Sequence, residues 1–281
     1  MLQVFIITLL GVFLGLAIGL VVKYFGVKPD SRSEELLGLL PGANCGGCGF
    51  AGCQDYVNAM ISGKAKPGLC AAMNSETVAK ACKILGTEGS AERERKVAVV
   101  CCNGDDDHAS HLAFYNGVND CMNAVLVAGG AKGCTFGCLG LGSCARVCPF
   151  GAIEILPNHL AKVHPELCKG CGKCAAICPR HVIKMVPASA PAYVLCNSPL
   201  KYPLKKRVCS VGCMGCRKCL KTAGEGSITM NGSLAVVNYD NPPSLEVALA
   251  CPVKCIHASE GREGELERLK AAVESKAEEA K

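Results

Sequence analysis

The run Cys168-x2-Cys171-x2-Cys174-x3-Cys178-Pro179 constrains this chain more than any other feature. Three thiolates spaced by two residues can hold three corners of one iron–sulfur cube. A fourth, set just before proline, turns away and holds a corner of the neighbouring cube. The pattern repeats: Cys138, Cys144 and Cys148 recur 30 residues later as Cys168, Cys174 and Cys178. Cys148-Pro149, Cys178-Pro179 and Cys251-Pro252 are each followed, five residues after the cysteine, by Ile153, Ile183 and Ile256. Ala223 is followed by Ile228 at the same offset. A fixed period of this size marks a duplicated supersecondary unit. A zinc site stops at four ligands and does not account for the Cys-Pro exchange. Disulfides fit worse, because the chain has 23 cysteines, an odd number, and reads as cytoplasmic.

The spacing resembles the bacterial two-cluster ferredoxin fold. In the first such unit one cluster is expected on Cys168, Cys171, Cys174 and Cys148, and the other on Cys138, Cys144, Cys178 and one more thiol. The place for that thiol is occupied by Leu141, and Cys134 is the nearest substitute. In the second unit Cys213, Cys216 and Cys219 form a triad with Cys251 as the exchanged ligand. The twin cluster there would need positions 241, 244, 247 and 223, which are Asn241, Ser244, Val247 and Ala223. All four ligands of one cluster are kept and all four of the other are gone, so the unit is expected to hold a single cluster.

A further set, Cys45-x2-Cys48-x4-Cys53-x16-Cys70, lies in a glycine-rich segment whose backbone N–H groups can approach cluster sulfides. It resembles a separate four-iron domain of membrane electron-transfer subunits and corrinoid iron–sulfur proteins. The expected cofactors are therefore four [4Fe–4S] clusters. Of the remaining cysteines, Cys102 and Cys121 precede Cys134 and Cys138 and would, as ligands, complete a fifth cluster and disturb the Cys134 assignment. Cys209 lies close enough to Cys213 to serve in place of Cys251. Cys82, Cys101, Cys196 and Cys255 read as buried thiols.

Val4 to Val22 is an apolar run interrupted only by Thr8, long enough for a membrane-spanning helix. The opening Met-Leu-Gln carries no basic side chain and no small-residue cleavage site follows, so an uncleaved anchor is expected. Lys23, Lys28 and Arg32 just beyond it place the remainder in the cytoplasm. Gly11, Gly15 and Gly19 form a smooth strip suited to a partner helix. The fold class is α+β, with an N-terminal transmembrane helix, a small four-iron domain and tandem ferredoxin-like units. The expected divisions are an anchor at 1–27, the four-iron domain at 28–95, opening on a polar linker at 28–42, and a linking segment at 96–133. A two-cluster unit at 134–190, a one-cluster unit at 191–258 and a solvated helical tail at 259–281 follow.

No phosphate loop, paired acid and base or nucleophile motif is present, and no catalytic residue is expected. Gly140-x-Gly142-x-x-Ala145 lies inside a cluster loop rather than after a strand, so it is not read as a dinucleotide site. His108 and His111 read as solvated. From 134 to 258 the chain holds 14 Lys or Arg against 5 Asp or Glu. Oxidised four-iron clusters at about −2 each leave this region positive. Lys201, Lys205, Lys206 and Arg207 concentrate that charge into a patch able to steer an acidic redox carrier. Without tryptophan and with few aromatics, nucleic acid is not expected as a partner.

The order of membrane helix, Cys45–Cys70 motif and ferredoxin repeats resembles the B-type subunit of the Rnf complex. That resemblance implies a bacterial or archaeal cell-membrane complex that moves electrons between reduced ferredoxin and NAD while translocating sodium ions or protons. The chain would be an electron-transfer subunit of that translocase, with no complete active site of its own. Its partners would be other membrane subunits and soluble ferredoxin. A membrane-tethered electron donor to another enzyme, such as an activator of a corrinoid protein, is the alternative.

Overall fold

The computed structural model describes residues 2–25, 30–87, 94–259, 262 and 264–271. It opens with α1 (Leu2–Phe25), a helix of 24 residues. Most of its described apolar side chains stand exposed, and the helix is long and apolar enough to cross a membrane. The Thr8 hydroxyl donates back to the Val4 and Phe5 carbonyls at 3.0 and 2.9 Å, which spares an apolar surrounding an unpaired donor.

Three helices build the small domain that follows: α2 (Ser31–Gly38), α3 (Cys53–Ile61) and α4 (Ser75–Leu85). The stretch expected to be a polar linker thus contains a helix. Asp30 caps it by accepting from the Arg32 N–H, and Leu36 and Leu40, one turn apart, drop into a core with Tyr56, Val57 and Ala81. Asn74 caps α4 through the Thr77 N–H at 2.8 Å.

The rest holds β1 (Lys96–Val100), α5 (Cys121–Leu126), α6 (Ser143–Val147), β2 (Ile153–Ile155), β3 (Ala161–Val163), α7 (Lys173–Ile177), β4 (Ile183–Pro187), β5 (Ala192–Val194), α8 (Tyr202–Val208), α9 (Lys218–Thr222), β6 (Ile228–Asn231), β7 (Leu234–Val237), α10 (Glu246–Leu249) and β8 (Ile256–Ala258). Two units share one topology. In the first, β2 and β3 form a hairpin while the outer strands β1 and β4 pair antiparallel, Val97 opposite Val186. In the second, β6 and β7 form the hairpin, and β5 pairs with β8, Tyr193 opposite His257. Sequence spacing places the strand at 96 in a segment ahead of the first unit. Its pairing with β4 makes it that unit's first strand, so the stretch from 103 to 133 is an insertion between that strand and the first cysteine loop.

Each unit has its own core, one around Val97, Val182 and Val186, the other around Ile228, Val247 and Ile256. Residues 264–271 are helical, and Leu266 and Leu269 pack on the second core, so this part of the tail has an apolar face rather than being wholly solvated. Val273 lies outside the described residues.

Candidate iron–sulfur site

The repeat is written into the backbone as well as the side chains. Short helices α6, α7 and α9 each start from a left-handed residue four positions after the first cysteine of the loop: Gly142 (φ 78°), Gly172 (φ 78°) and Arg217 (φ 60°). That conformation swings the chain around a compact space and aims the next thiol into it. At the matching position of the fourth loop, Leu245 has φ −66°. The cysteine-poor loop therefore differs in shape as well as in ligands. Three residues beyond each Cys-Pro cysteine the chain is left-handed again, at Gly151, His181 and Lys254, and also at Gly226 beyond Ala223. The turn feeding β6 is thus kept where the cysteine is missing.

The thiols gather in sets. Cys148 joins Cys168, Cys171 and Cys174 in lining one pocket. Cys178 crosses the other way and joins Cys138 and Cys144 in lining a second cavity. The fourth thiol of that second cavity comes from Cys121, at the start of α5 in the insertion. Cys134, the residue that spacing favours, does not line it. The position is held by a fixed polar joint: the Cys121 N–H donates to Ser143 Oγ at 2.8 Å, and Ser143 in turn meets Asp120.

Burial pushes Cys144 and Cys174 up to about 12 and Cys138 up to about 11, with neighbouring thiols adding repulsion in each case. Such thiols stay protonated without a cation to bind, which is the chemistry of a metal site whose loading releases protons.

In the second unit Cys213, Cys219 and Cys251 are buried and Cys216 is exposed. The charges of Cys213, Cys216 and Cys251 all act on Cys219, so the four face one another. Cys255 has no role in the sequence pattern. It is buried beside them, with its Sγ 3.6 Å from that of Cys251. Its hydrogen bonds hold Cys213 down at about 5 and Cys251 at about 6, and push Cys255 itself up.

In the N-terminal domain Cys53 and Cys70 are buried, and Cys45 and Cys48 lie nearby, raising Cys70 further beyond the effect of burial. The Cys53 N–H donates to Asn44 Oδ1 at 2.8 Å, fixing the start of α3 against the loop.

One surface expectation changes. Lys205 is not part of an exposed patch: it is 2% exposed, and its ammonium donates to the Ser198 and Ser233 carbonyls at 3.1 and 2.8 Å. Lys201, Lys206 and Arg207 remain exposed. His108 and His111 are exposed, as expected, and each is paired with a carboxylate. His108 meets Asp105 at 2.6 Å and His111 meets Asp106 at 3.0 Å, and Asp106 also meets His159 at 2.5 Å. These contacts tie the insertion to the β2–β3 hairpin.

Thiol-lined spaces on paired ferredoxin-like hairpins define an iron–sulfur protein. Family models agree: the FeS model of an Fe-S cluster matches residues 40–72, and the LdpA Fe-S cluster-binding domain matches 134–189. The B-type subunit of the ion-translocating oxidoreductase complex of Methanosarcina acetivorans is 39% identical, across 86% of this chain and 94% of its own length. The B-type subunit of the Na(+)-translocating ferredoxin:NAD(+) oxidoreductase complex of Acetobacterium woodii is 36% identical, across 89% of this chain and 75% of its own. Its proton-translocating counterpart from Clostridium ljungdahlii is 36% identical, across 89% and 88%. The chain belongs to the family of B-type subunits of ion-translocating oxidoreductase (Rnf) complexes, and with its apolar α1 it is a membrane-associated member.

Proposed function

We propose that this chain carries electrons one at a time from reduced ferredoxin toward the membrane part of an ion-translocating ferredoxin:NAD oxidoreductase, through [4Fe–4S] clusters. The relatives' names supply the reaction class, and the order of the thiol sets supports the relay. Cys45 is close enough to act on Cys171, and Cys174 on Cys144, so the first three sets follow one another in space. Four clusters are assigned here: on Cys45, Cys48, Cys53 and Cys70; on Cys148, Cys168, Cys171 and Cys174; on Cys121, Cys138, Cys144 and Cys178; and on Cys213, Cys216, Cys219 and Cys251. Bound there, such clusters supply one-electron carriers whose potentials the protein tunes by hydrogen bonding and burial.

The observation that carries the direction is the contrast between the two ends. The N-terminal set is the first along the chain after the membrane helix. At the other end Cys216 is exposed, next to exposed Arg217, Lys218 and Lys221. A basic rim around an exposed ligand suits an acidic carrier such as ferredoxin, and electrostatic steering raises its rate of encounter. The basic residues after α1 support a cytoplasmic side for the cluster domains. NAD and flavin chemistry belongs to other subunits of the complex.

The test is reduction of the anaerobically purified chain by reduced ferredoxin, followed by visible bleaching. Reversing charge at Arg217, Lys218 and Lys221 should slow that reduction several-fold at low salt and much less at high salt. A colourless chain, or a rate indifferent to both charge and salt, would overturn the reading.

A further inference from the structure

Four cysteines outside the sets above converge where the two ferredoxin-like units meet: Cys102 just after β1, Cys134 at the end of the insertion, Cys196 just after β5 and Cys209 at the end of α8. A Cβ placed on Gly104 would lie 3.2 Å from Cys209 Sγ and 3.8 Å from Cys102 Sγ. One on Gly137 would lie 3.5 Å from Cys134 Cβ and 3.6 Å from Cys102 Sγ. One on Gly212 would lie 3.9 Å from Cys209 Sγ and 4.0 Å from Cys196 Sγ. Three glycines thus share their free faces with these four thiols. Burial pushes Cys209 up, and the charges of Cys102, Cys134 and Cys196 add to it.

The insertion is braced to make this arrangement. Its Ser110 N–H donates to the Val208 carbonyl at 2.9 Å, the Ser210 N–H donates back to the His108 carbonyl at 2.9 Å, and Ala109 bridges Cys209. These contacts hold Cys102 and Cys134, from the first unit's side, against Cys209 of the second.

The surroundings supply positive charge. Lys132 and Lys205 are each 2% exposed, and their ammonium groups donate to carbonyl oxygens, Lys132 to Gly104 at 2.7 Å. Among the described residues neither meets a carboxylate within ion-pair distance. The half-buried Arg180 guanidinium likewise reaches carbonyls, of Cys134 at 2.5 Å and Gly137 at 3.1 Å. A buried ammonium without a counterion is costly. An anionic iron–sulfur cube between them would remove that cost.

We infer that Cys102, Cys134, Cys196 and Cys209 ligate a fifth [4Fe–4S] cluster, lying between the cluster on Cys121, Cys138, Cys144 and Cys178 and the one on Cys213, Cys216, Cys219 and Cys251. The inference rests on the iron–sulfur reading above and extends it. Its neighbours are in contact on both sides. The Cys138 N–H donates to Cys102 Sγ at 3.4 Å, and the Cys213 backbone N–H hydrogen-bonds Cys196. The second unit lacks its own twin cluster, and this site fills the gap that loss leaves in the series. Cys101, next to Cys102, is not part of it: its thiol turns back to the Val99 carbonyl at 3.9 Å.

Iron and sulfide counting on the full-length chain, purified anaerobically after co-expression with a cluster-assembly system, tests this directly. Five clusters give about 20 iron atoms and four give about 16. The expected result is about 20, with Cys209→Ser and Cys196→Ser each losing about four irons and one reduced-cluster resonance signal. The signals of the other four should persist, and Cys101→Ser should keep the full count. A wild-type count of about 16, wild-type iron in both Cys209→Ser and Cys196→Ser, or one zinc in place of four irons overturns the fifth site and leaves the four-cluster reading standing. A chain without iron overturns both.

Discussion

Gly47 lies directly on the backbone of Cys171: a methyl group at position 47 would sit 2.9 Å from the Cys171 carbonyl oxygen and 3.1 Å from its Cα. The N-terminal motif therefore touches the first ferredoxin-like unit through the two loops that carry their thiols. Gly47→Ala must push those loops apart. It should cost about 1–3 kcal/mol of docking through overpacking. It should keep the iron content and slow electron transfer between the N-terminal cluster and its neighbour. Freeze-quench resonance spectra after rapid reduction check this. An unaltered rate would mean that this contact is not the route.

Cys121 and Cys134 should behave as ligands of different clusters. Cys121→Ala is expected to remove the cluster shared with Cys138, Cys144 and Cys178. Cys134→Ala should leave that one in place and remove the junction cluster. The double variant should lose about eight irons. If the double variant loses no more iron than either single variant, the separation is wrong.

The ferredoxin-like halves are legible in the sequence because their ligands are local. Spacing alone brings Cys168, Cys171 and Cys174 together, and the Cys-Pro offset sends Cys148 and Cys178 across. Cys121 is out of reach of that logic because it arrives from an insertion, at no position the repeat specifies. Lys205 escapes it for a related reason. Within Lys205-Lys206-Arg207 nothing in the sequence says which side chain turns inward; the carbonyls of Ser198 and Ser233, 7 and 28 residues away, decide it. β1 is recognisable as a strand but cannot be placed from spacing, because its partner β4 follows only after both cluster loops.

Cys255 should tune its cluster without holding it. It is a buried thiol beside Cys213 and Cys251; facing ligand thiolates, which only accept, its single S–H donates to one of these sulfurs, and they become more negative on reduction. Cys255→Ala should therefore keep the iron count and lower that cluster's potential, on the order of tens of millivolts. A redox titration followed by resonance spectroscopy measures the shift. Loss of four irons would make Cys255 a ligand.

The insertion should loosen in acid. Burial works against the charged forms of Asp105 and Asp106. Hydrogen bonds and charge from His108, and from His159 and His111, outweigh it and hold both carboxyls below the ordinary value. A carboxyl depressed in the folded chain stabilises it above the unfolded pKa and loses that contribution as pH falls through the folded one. Asp106→Asn should accordingly raise hydrogen exchange in residues 105–111 at neutral pH. The difference from the parent chain should shrink as pH drops below about 4. A difference that stays constant down to about pH 3 would count against the pairing.

Removing residues 1–27 should give a water-soluble chain with the iron content of the full one, since every thiol set begins at Cys45 or later. Recovery of that chain in washed membranes would show a second attachment.

The fourth loop bears on how this chain came to its present form. Leu245 has φ −66° where Gly142, Gly172 and Arg217 are left-handed, and Pro242 and Pro243 precede it. Pro243 stands where the other three loops have left-handed Gly140 (φ 73°), Gly170 (φ 69°) and Gly215 (φ 69°), and proline, fixed near φ −65°, cannot take up that conformation. Cysteines placed at 223, 241, 244 and 247 would supply four sulfurs on a loop that lacks the left-handed turns of the other three. Sulfur alone is therefore not expected to restore a cluster there: the loop's turns would have to be rebuilt together with its ligands.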